Sequence, residues 1–338
     1  MNIRISGGWK DYELIDSGGL EKLERFGDHI LARPEPQAVW SKTLTETEWD
    51  RILHARYRRT RGIDPGRTEG SDKGEWIRRK PSPDQWMIHY SYGNMELTFR
   101  LGLTSFGHIG VFPEQADNWN YIYDIITQNS KFKIQNSSLK TKTDPSSTSL
   151  QTVQLPNHQI EKPSVQLTRF KVLNLFAYTG GSSLAAKAAG ADVVHVDSVK
   201  PVVTWAKEMM ESSGLKDIRW VVEDAMKFVK REIRRGNIYQ GIILDPPAYG
   251  RGPEGEKWIL QEGINELIGY CHQLLDPQRA FFIVSLYSMG FSSLIADNLV
   301  KDHFGDIAGK EIGELCFTDR AGRRLPLGTY LRFHYEKI

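Results

Sequence analysis

The segment Asp245-Pro246-Pro247-Ala248-Tyr249 contains residue types that can hold a flat, nitrogen-containing ring in place. Consecutive prolines lack amide hydrogens and follow a fixed backbone path, so the carbonyl oxygens stay available in a rigid loop. Such a carbonyl, or the Asp245 carboxylate, can accept a hydrogen bond from a nitrogen, and the Tyr249 ring can stack on the ligand plane. A purely structural loop is the alternative for a Pro-Pro pair taken by itself.

A second segment, Phe176-Ala177-Tyr178-Thr179-Gly180-Gly181, follows an apolar run and precedes a helical pattern. Its two glycines allow the backbone to pass close to a ligand at the beginning of a helix. The segment lacks the third glycine of a dinucleotide-binding loop and the lysine of a P-loop, which argues against a pyrophosphate ligand. A structural turn between a strand and a helix is the alternative.

Two carboxylates occupy comparable positions after the next two apolar runs. Asp197 lies eighteen positions beyond Thr179 and is suited to a bidentate hydrogen bond with ribose hydroxyls. Asp224 can accept a hydrogen bond from the exocyclic amine of an adenine. Each of them could equally be the N-cap of the helix that follows it.

The second half of the chain predicts a scaffold that brings these segments together. Short apolar runs alternate with segments of helical period, which favours an α/β fold with a parallel sheet covered on both faces. In such a sheet, ligands bind beyond the carboxyl ends of the strands. The predicted strands are 172–177, 193–196, 218–222, 242–244 and 280–287, and two antiparallel strands, 311–318 and 329–336, are predicted to close one edge. The predicted helices are 182–189, one from Pro201 to Gly214, one that Asp224 caps and Gly236 ends, and 258–275.

The first part of the chain predicts a smaller α+β domain. Thr45 and Glu48 have the spacing of a capping box for a helix that runs to about Arg59, and 86–92 and 96–101 have the pattern of strands. Between 130 and 168 the chain is rich in Ser, Thr, Lys, Gln and Pro, which predicts a flexible linker or insertion. The predicted division is an accessory domain at 1–105, a short segment at 106–129, the linker at 130–168 and the α/β domain at 169–338.

Four segments, taken in order, resemble motifs I to IV of the class I S-adenosylmethionine-dependent methyltransferases. They are NLFAYTGG from Asn174, VDSVK from Val196, VEDAMKFV from Val222 and LDPPAYGRG from Leu244. The Asp-Pro-Pro-x-aromatic form resembles more narrowly the large-subunit (23S) ribosomal RNA methyltransferases that modify cytosine C5 or guanine N7. Residues 107–115 are similar to the Gly-x-Phe-x-x-Gln element of that group. The resemblance covers about residues 107–128 and 169–338, and it implies a Rossmann-like sheet.

The resemblance also implies S-adenosyl-L-methionine as the cofactor and suggests residues for each part of the site. Tyr178 to Gly181 would line the methionine and ribose, Asp197 would bind the ribose hydroxyls, and Asp224 and Ala225 would hold the adenine. The residues expected at the cofactor are Phe112, Gln115, Phe176, Tyr178, Thr179, Gly180, Gly181, Asp197, Ser198, Asp224 and Ala225. Those expected to face the target base are Asp245, Pro246, Pro247 and Tyr249.

The cysteines depart from the pattern of the enzymes that methylate cytosine C5. Members with that specificity use a cysteine just after the fifth strand, because C5 is a poor nucleophile until the ring is activated covalently. Here the strand ends Val284-Ser-Leu-Tyr-Ser-Met289, and the two cysteines, Cys271 and Cys316, lie elsewhere and are expected to be core residues. Methylation of a nitrogen needs no covalent adduct, and the sequence therefore favours it.

A basic stretch in the first part of the chain is a candidate RNA contact. Residues 51–80 contain ten Lys or Arg and four Asp or Glu, and aromatic residues are interleaved with them. Arginines can contact phosphates while aromatic rings stack on bases. The residues predicted to bind the substrate are Arg56, Arg58, Arg59 and Arg61. A solvated surface that pairs with its own acids is the alternative.

Composition bounds the remaining function classes. The 338 residues have a net charge of +2, which excludes a histone-like protein, and two cysteines exclude a disulfide framework or a Cys-rich zinc site. The apolar runs are too short to span a membrane, so a cytoplasmic protein without bound metal is expected. We therefore expect an enzyme that methylates ribosomal RNA or a ribosomal-subunit precursor. The alternatives are a methyltransferase of a protein or small molecule, and a non-catalytic RNA-binding assembly factor.

Overall fold

The computed structural model of the chain describes residues 2–59, 74–139, 169–287 and 290–336. The strands are β1 (Asn2–Ile5), β2 (Tyr12–Gly18), β3 (Glu21–Phe26), β4 (His29–Pro34), β5 (Ala55–Arg59), β6 (Gly74–Arg78), β7 (Gln85–Tyr92), β8 (Met95–Gly102), β9 (Lys171–Leu175), β10 (Asp192–Asp197), β11 (Ile218–Val222), β12 (Gly241–Leu244), β13 (Tyr249–Arg251), β14 (Lys257–Ile259), β15 (Arg279–Leu286), β16 (Glu311–Thr318) and β17 (Arg324–Glu336). The helices are α1 (Glu46–Ile52), α2 (Ala116–Leu139), α3 (Gly181–Ala188), α4 (Lys200–Ser212), α5 (Ala225–Arg234), α6 (Leu260–Leu274) and α7 (Ser293–Phe304), with a 3-10 turn at Pro113–Gln115.

The large sheet has the order β1-β16-β17-β15-β12-β9-β10-β11. Five neighbouring strands, β15, β12, β9, β10 and β11, are parallel, and β17 pairs antiparallel with both β15 and β16. Every residue of β12 is buried, as expected for a strand covered by helices on both faces. The predicted α/β fold, the five parallel strands and the antiparallel hairpin are therefore confirmed.

The position of the first strand differs from the predicted division of the chain into domains. Asn2–Ile5 pairs parallel with β16, so it forms the edge of the large sheet although it falls within the predicted accessory domain. Ile3 and Ile5 of this strand are half exposed. Its two isoleucines alternate with polar residues, as in a strand, but pairing with a segment about 310 residues later leaves no local signal that identifies the partner.

The rest of the first part of the chain forms a five-stranded sheet, β2-β3-β4-β5-β6, and the hairpin β7-β8. The hairpin packs on α4 and α3 of the other half. Trp9, Tyr90 and Phe99 lie against Trp119 of α2, with ring centroids 5.9, 5.6 and 5.1 Å from that of Trp119. One hydrophobic core thus continues from the small sheets into the large one.

Two predicted boundaries are wrong. The capping box of Thr45 and Glu48 is present, but α1 ends at Ile52 and residues 55–59 form strand β5. In Ala55–Arg59 the buried residues alternate along a strand, and pairing with β6 satisfies the backbone there. Helix α2 continues to Leu139, ten residues into the predicted linker, because each residue added to an existing helix gains a hydrogen bond without a new nucleus. Residues 140–168 of that linker lie outside the described part of the chain.

Candidate active site

A cleft lies at the carboxyl ends of β9 and β12, where the predicted ligand segments meet. It is bounded on the other side by the 3-10 turn and by Trp119 of α2. Asp245, at the end of β12, lines it together with seven of the residues predicted at the cofactor: Phe112, Gln115, Phe176, Tyr178, Thr179, Gly180 and Gly181. The other predicted cofactor residues, Asp197, Ser198, Asp224 and Ala225, follow β10 and β11 and do not line this cleft.

The loop after β9 is held in a strained conformation. Phe176 and Tyr178 have φ values of 53° and 48°, in the left-handed region that aromatic residues rarely adopt. Tyr178 N–H donates to Asp197 Oδ2 (2.9 Å), and Thr179 Oγ1 donates to the carbonyl oxygen of Gly110 (2.7 Å). Such strain costs roughly 1–3 kcal/mol per residue and is typical of functional loops.

Gly181 is required by the close approach of two helices. It is the first residue of α3, and a Cβ atom there would lie 2.5 Å from Cζ2 of Trp119. The preceding Gly180 has a φ of 90°, which a side chain would oppose. Both glycines line the cleft, and the amide groups in the first turn of a helix favour an anionic group such as a carboxylate.

Asp197 connects the loop after β9 to the beginning of α4. Its Oδ2 accepts from Tyr178 N–H and its Oδ1 accepts from Val199 N–H, both at 2.9 Å. Burial raises the pKa of this carboxyl group, and the backbone hydrogen bonds oppose the rise. Each oxygen keeps a second lone pair for a ligand hydroxyl.

Asp224 is the N-cap of α5, because its Oδ1 accepts from Lys227 N–H at 2.9 Å. The capping alternative stated from the sequence is therefore correct for this residue. One oxygen of the carboxylate remains for a ligand, so the cap does not exclude the predicted contact with adenine.

The Asp-Pro-Pro loop is fixed by Trp258. The indole Nε1 of Trp258 donates to the carbonyl oxygen of Pro247 (2.8 Å), and its ring lies 4.8 Å from that of Phe176. Tyr249 begins the short strand β13, and its hydroxyl accepts from Arg251 Nε (3.1 Å). The loop after β12 and the strained loop after β9 therefore share one aromatic support, which sequence reasoning missed.

The carboxyl group of Asp245 has a pKa close to neutral pH. Desolvation raises its pKa to about 7, and the charge of Glu114 contributes in the same direction. A carboxyl group with such a pKa can take up a proton from a reacting nitrogen at physiological pH.

A second cavity lies beside the cleft, and Phe112 lines both. Its walls come from β3, β4, β5, the loop after β8, the 3-10 turn and the end of β15. Glu114 lines it and is 6% exposed. Desolvation raises the pKa of Glu114 to about 7. The residue lies between Phe112 and Gln115, where polar residues surround it in the sequence, so sequence reasoning did not indicate its burial.

The arginines predicted to bind the substrate have different surroundings in the structure. Arg56 forms ion pairs with Glu21 (3.1 Å) and Glu46 (2.9 Å), so the alternative of pairing with acids of the chain's own surface applies to it. Arg58 and Arg59 are exposed on β5, and Arg59 lines the second cavity. Arg61 lies outside the described residues.

The two cysteines are buried away from the cleft, in α6 and β16, as predicted. Burial raises the pKa of the Cys271 thiol far above its usual range, which makes it a poor nucleophile. Within the described ranges there is no group of three potential metal ligands. Also within those ranges, no helix is long and apolar enough to cross a membrane.

The strand order and the cleft at the carboxyl ends of the parallel strands define a Rossmann-like class I methyltransferase fold. The chain is 31% identical to a SAM-dependent methyltransferase from Agrobacterium tumefaciens, and the two structures match with a TM-score of 0.77 over 98% of this chain and 93% of that one. The chain therefore belongs to the S-adenosylmethionine-dependent methyltransferases, and S-adenosylmethionine is its cofactor. No protein-family model matches it.

Curated relatives match shorter segments. A ribosomal RNA large subunit methyltransferase K/L from Shewanella frigidimarina is 33% identical over 110 residues, which cover 31% of this chain and 15% of the relative. A ribosomal RNA large subunit methyltransferase I from Photobacterium profundum is 30% identical over 166 residues, which cover 45% of this chain and 38% of the relative. The matches thus span well under half the length of these relatives.

The residues of the cleft fit S-adenosylmethionine. The glycines at the beginning of α3 line the cleft and can receive the carboxylate of the methionine part. Asp197 lies next to the cleft, since it accepts from Tyr178 N–H, and it can receive the ribose hydroxyls. The aromatic residues Phe112 and Tyr178, whose ring centroids are 5.3 Å apart, border the same space. Aromatic faces attract a cationic centre, which suits the sulfonium of the cofactor.

Proposed function

We propose that the chain methylates a nitrogen of a base in ribosomal RNA, in the cytoplasm, on the free RNA or on a ribosomal-subunit precursor. The observation that carries the proposal is Asp245, a desolvated carboxyl group on a rigid loop that lines the cofactor cleft. The relatives named as ribosomal RNA methyltransferases support the substrate class.

Methylation of a nitrogen does not require a covalent bond between the protein and the base. When bound, the cofactor would supply an electrophilic methyl group on a sulfonium, with a neutral thioether as the leaving group. A nitrogen that carries a proton loses it on methylation, and the Asp245 carboxylate can accept that proton. The Pro246–Tyr249 backbone and ring would hold the base in line with the methyl group, and this alignment is the main contribution of the protein.

The distribution of cysteines supports a nitrogen rather than cytosine C5. Among the described residues, both cysteines are buried away from the cleft, and Tyr287 follows β15 where C5 enzymes place their nucleophile. The exposed Arg58 and Arg59 on β5 are proposed to contact RNA phosphates.

The test uses methyl-labelled S-adenosylmethionine with RNA, ribosomal subunits and protein from cells that lack this gene, followed by mass spectrometry of the nucleosides. Label in an N-methylated nucleoside of large-subunit RNA is the expected result. A 5-methylcytosine product would contradict the nitrogen target. Label only in protein, or tight cofactor binding without transfer to any fraction, would replace the proposed function by one of the two alternatives.

A further inference from the structure

The side chain of Gln115 lines the cofactor cleft and is held by a network of hydrogen bonds. Its Oε1 accepts from Asn118 Nδ2 (2.8 Å) and from Ser285 Oγ (3.4 Å). A carbonyl oxygen has two lone pairs, so both acceptor positions of this oxygen are used. Among the described residues, none accepts a hydrogen bond from Gln115 Nε2. This amine, which has two donors, is therefore the part of the side chain left for a ligand.

The orientation of the Asn118 amide is set by Arg332 of β17, and both side chains are buried. Arg332 Nη1 lies 3.1 Å from Asn118 Oδ1. A guanidinium can only donate, so the Asn118 atom that faces it is the oxygen, and the amine faces Gln115. Arg332 is itself fixed, because it also pairs with Asp117 (2.7 Å) and Glu311 (2.9 Å). The hydrogen bonds thus run in one direction, from the guanidinium to the oxygen of Gln115.

The cleft offers neutral donors to a negatively charged group. Among the described residues that line it, none is a lysine, arginine or histidine, and the only acid is Asp245. The carboxylate of the methionine part must then be held by uncharged N–H groups, such as those at the beginning of α3. Trp119, four residues after Gln115, packs against Gly181, so the 3-10 turn and the beginning of α3 meet at the cleft.

We propose that Asn118 is a positioning residue for cofactor binding. It holds the Gln115 amide so that Nε2 donates to the carboxylate of the methionine part of S-adenosylmethionine. The inference concerns the cofactor and holds whichever molecule is methylated. A hydrogen bond to a carboxylate is charge-assisted and is roughly twice as strong as one between neutral groups. With the Gln115 amide reversed, its oxygen would face the carboxylate and repel it, so the fixed orientation decides whether the contact is favourable.

The first test reverses the Gln115 amide by the substitution Asn118→Asp. The new carboxylate accepts from Arg332 as before but cannot donate, so Gln115 must turn its Nε2 toward position 118. Calorimetry measures the affinity for S-adenosylhomocysteine, which has the amino-acid carboxylate, and for 5′-methylthioadenosine, which keeps the adenosine and the sulfur but lacks that carboxylate. We expect the Kd for S-adenosylhomocysteine to rise roughly 10- to 100-fold, as for the loss of a hydrogen bond to a charged group. The Kd for 5′-methylthioadenosine should not change.

The two ligands separate positioning from a purely structural role of Asn118. A variant whose fold is loosened binds both ligands more weakly by the same factor, whereas a reversed Gln115 amide affects only the ligand with a carboxylate. Asn94→Asp, at an exposed position between β7 and β8, adds the same charge away from the cleft and should change neither Kd. An equal loss for both ligands in Asn118→Asp, or no loss for S-adenosylhomocysteine, would overturn the proposal.

The second test asks whether Asn118 acts through Gln115, and it also applies if Asn118→Asp does not fold. Gln115→Met keeps the length of the side chain and the ion pairs of Arg332 but has no donor. It should weaken the binding of S-adenosylhomocysteine roughly 10- to 100-fold and leave that of 5′-methylthioadenosine unchanged. In this background Asn118→Asp should cause no further loss, because two changes to one contact are not additive. Unchanged affinity of Gln115→Met for S-adenosylhomocysteine, or a full further loss in the double variant, would contradict the proposed contact.

Discussion

The charge of Glu114 raises the pKa of Asp245, although the two residues come from different layers of the molecule. Asp245 ends a central strand of the large sheet, and Glu114 lies on the 3-10 turn that covers the cofactor cleft. Desolvation is the larger cause for Asp245, and the neighbouring carboxylate adds to it. Two carboxyl groups, each with a pKa of about 7, thus flank the place where a base would meet the cofactor.

Replacing Asp245 by asparagine should separate catalysis from cofactor binding. The amide keeps the shape of the loop but cannot accept a proton, and loss of a general base typically costs roughly 100- to 10,000-fold in rate. We expect that decrease in kcat with cofactor affinity unchanged by calorimetry. Asp306→Asn, at a surface acid paired with Lys301, is the control. Full turnover of Asp245→Asn would remove this residue from the chemistry.

The rate should depend on pH through these two acids. Both have a pKa of about 7, and the charge of Glu114 raises the pKa of Asp245. Asp245 acts as a carboxylate in the proposed mechanism, so kcat/KM should rise with pH up to about 7 and then level off. Lys22, Glu24 and Arg33 also face Glu114, the two cations opposing the rise of its pKa and Glu24 adding to it. Asp245→Asn, assayed for its residual activity, should lose this rise, and Glu114→Gln should move it to lower pH. A flat profile of the wild type between pH 5.5 and 8.5, about 1.5 units to either side of the expected pKa, would contradict the role of Asp245.

The same two residues should make the protein less stable as pH rises. A carboxyl group whose pKa is higher in the folded than in the unfolded state binds more protons when folded, so stability falls between about pH 4.5 and 7. At pH 8, Glu114→Gln should therefore increase the free energy of unfolding by up to about 3 kcal/mol, at 1.36 kcal/mol per pKa unit. Urea unfolding at pH 5 and pH 8 measures the difference. An equal effect at both pH values would show that ionisation is not its cause, and Glu96→Gln, at an exposed acid on β8, is the control.

The contact between Gly181 and Trp119 predicts a loss in both stability and cofactor binding. An alanine Cβ would meet the indole ring at 2.5 Å, and overpacking of this kind costs roughly 1–3 kcal/mol. The shift of α3 should also weaken S-adenosylmethionine binding, which titration calorimetry would detect. Gly7→Ala, whose Cβ would have its nearest neighbour at 4.0 Å, should change neither quantity. Unchanged binding in Gly181→Ala would show that the beginning of α3 does not hold the cofactor.

Charge reversal of Arg58 and Arg59 should weaken the binding of RNA and leave the binding of the cofactor unchanged. We expect the double variant Arg58→Glu, Arg59→Glu to have a higher Kd for RNA. Its binding should also depend less on salt, because each lost phosphate contact removes about one released counterion. The control reverses the same charge at Lys216 and Arg234, which are exposed. Equal RNA affinity in both double variants, measured at two salt concentrations, would assign β5 to a solvated surface.

The features that the sequence predicted correctly are those that depend on residues close together in the chain. The loops after β9 and β12 were found because glycines and prolines act locally on the backbone, and the alternating strands and helices were found because burial on two faces leaves continuous apolar runs. Asp224 is the helix cap that its position in the sequence allowed, and the predicted contact with adenine stays a prediction, since a cap uses one oxygen only.

The remaining features depend on partners distant in the chain. β1 pairs with β16, and Trp258 supports two loops through one hydrogen bond and one ring contact. The strand at 55–59 was predicted as helix because its arginines and aromatics suit either state until β6 provides the pairing. Glu114 was passed over because its burial depends on β3, β4, β5 and Tyr287, which are distant from it in the chain.

The pairing of β1 with β16 has a consequence for how the nascent chain matures. Asn2 lies in register with Gly313, so this strand has its partner only after about 310 further residues have been synthesised. Ser6 N–H likewise donates to the carbonyl oxygen of Cys316 (3.1 Å), and Ser6 supports the turn that carries Glu114. Contacts between such distant segments form slowly. Assembly of the turn over the cofactor cleft thus waits for β16, and a chain truncated before β16 would lack this support.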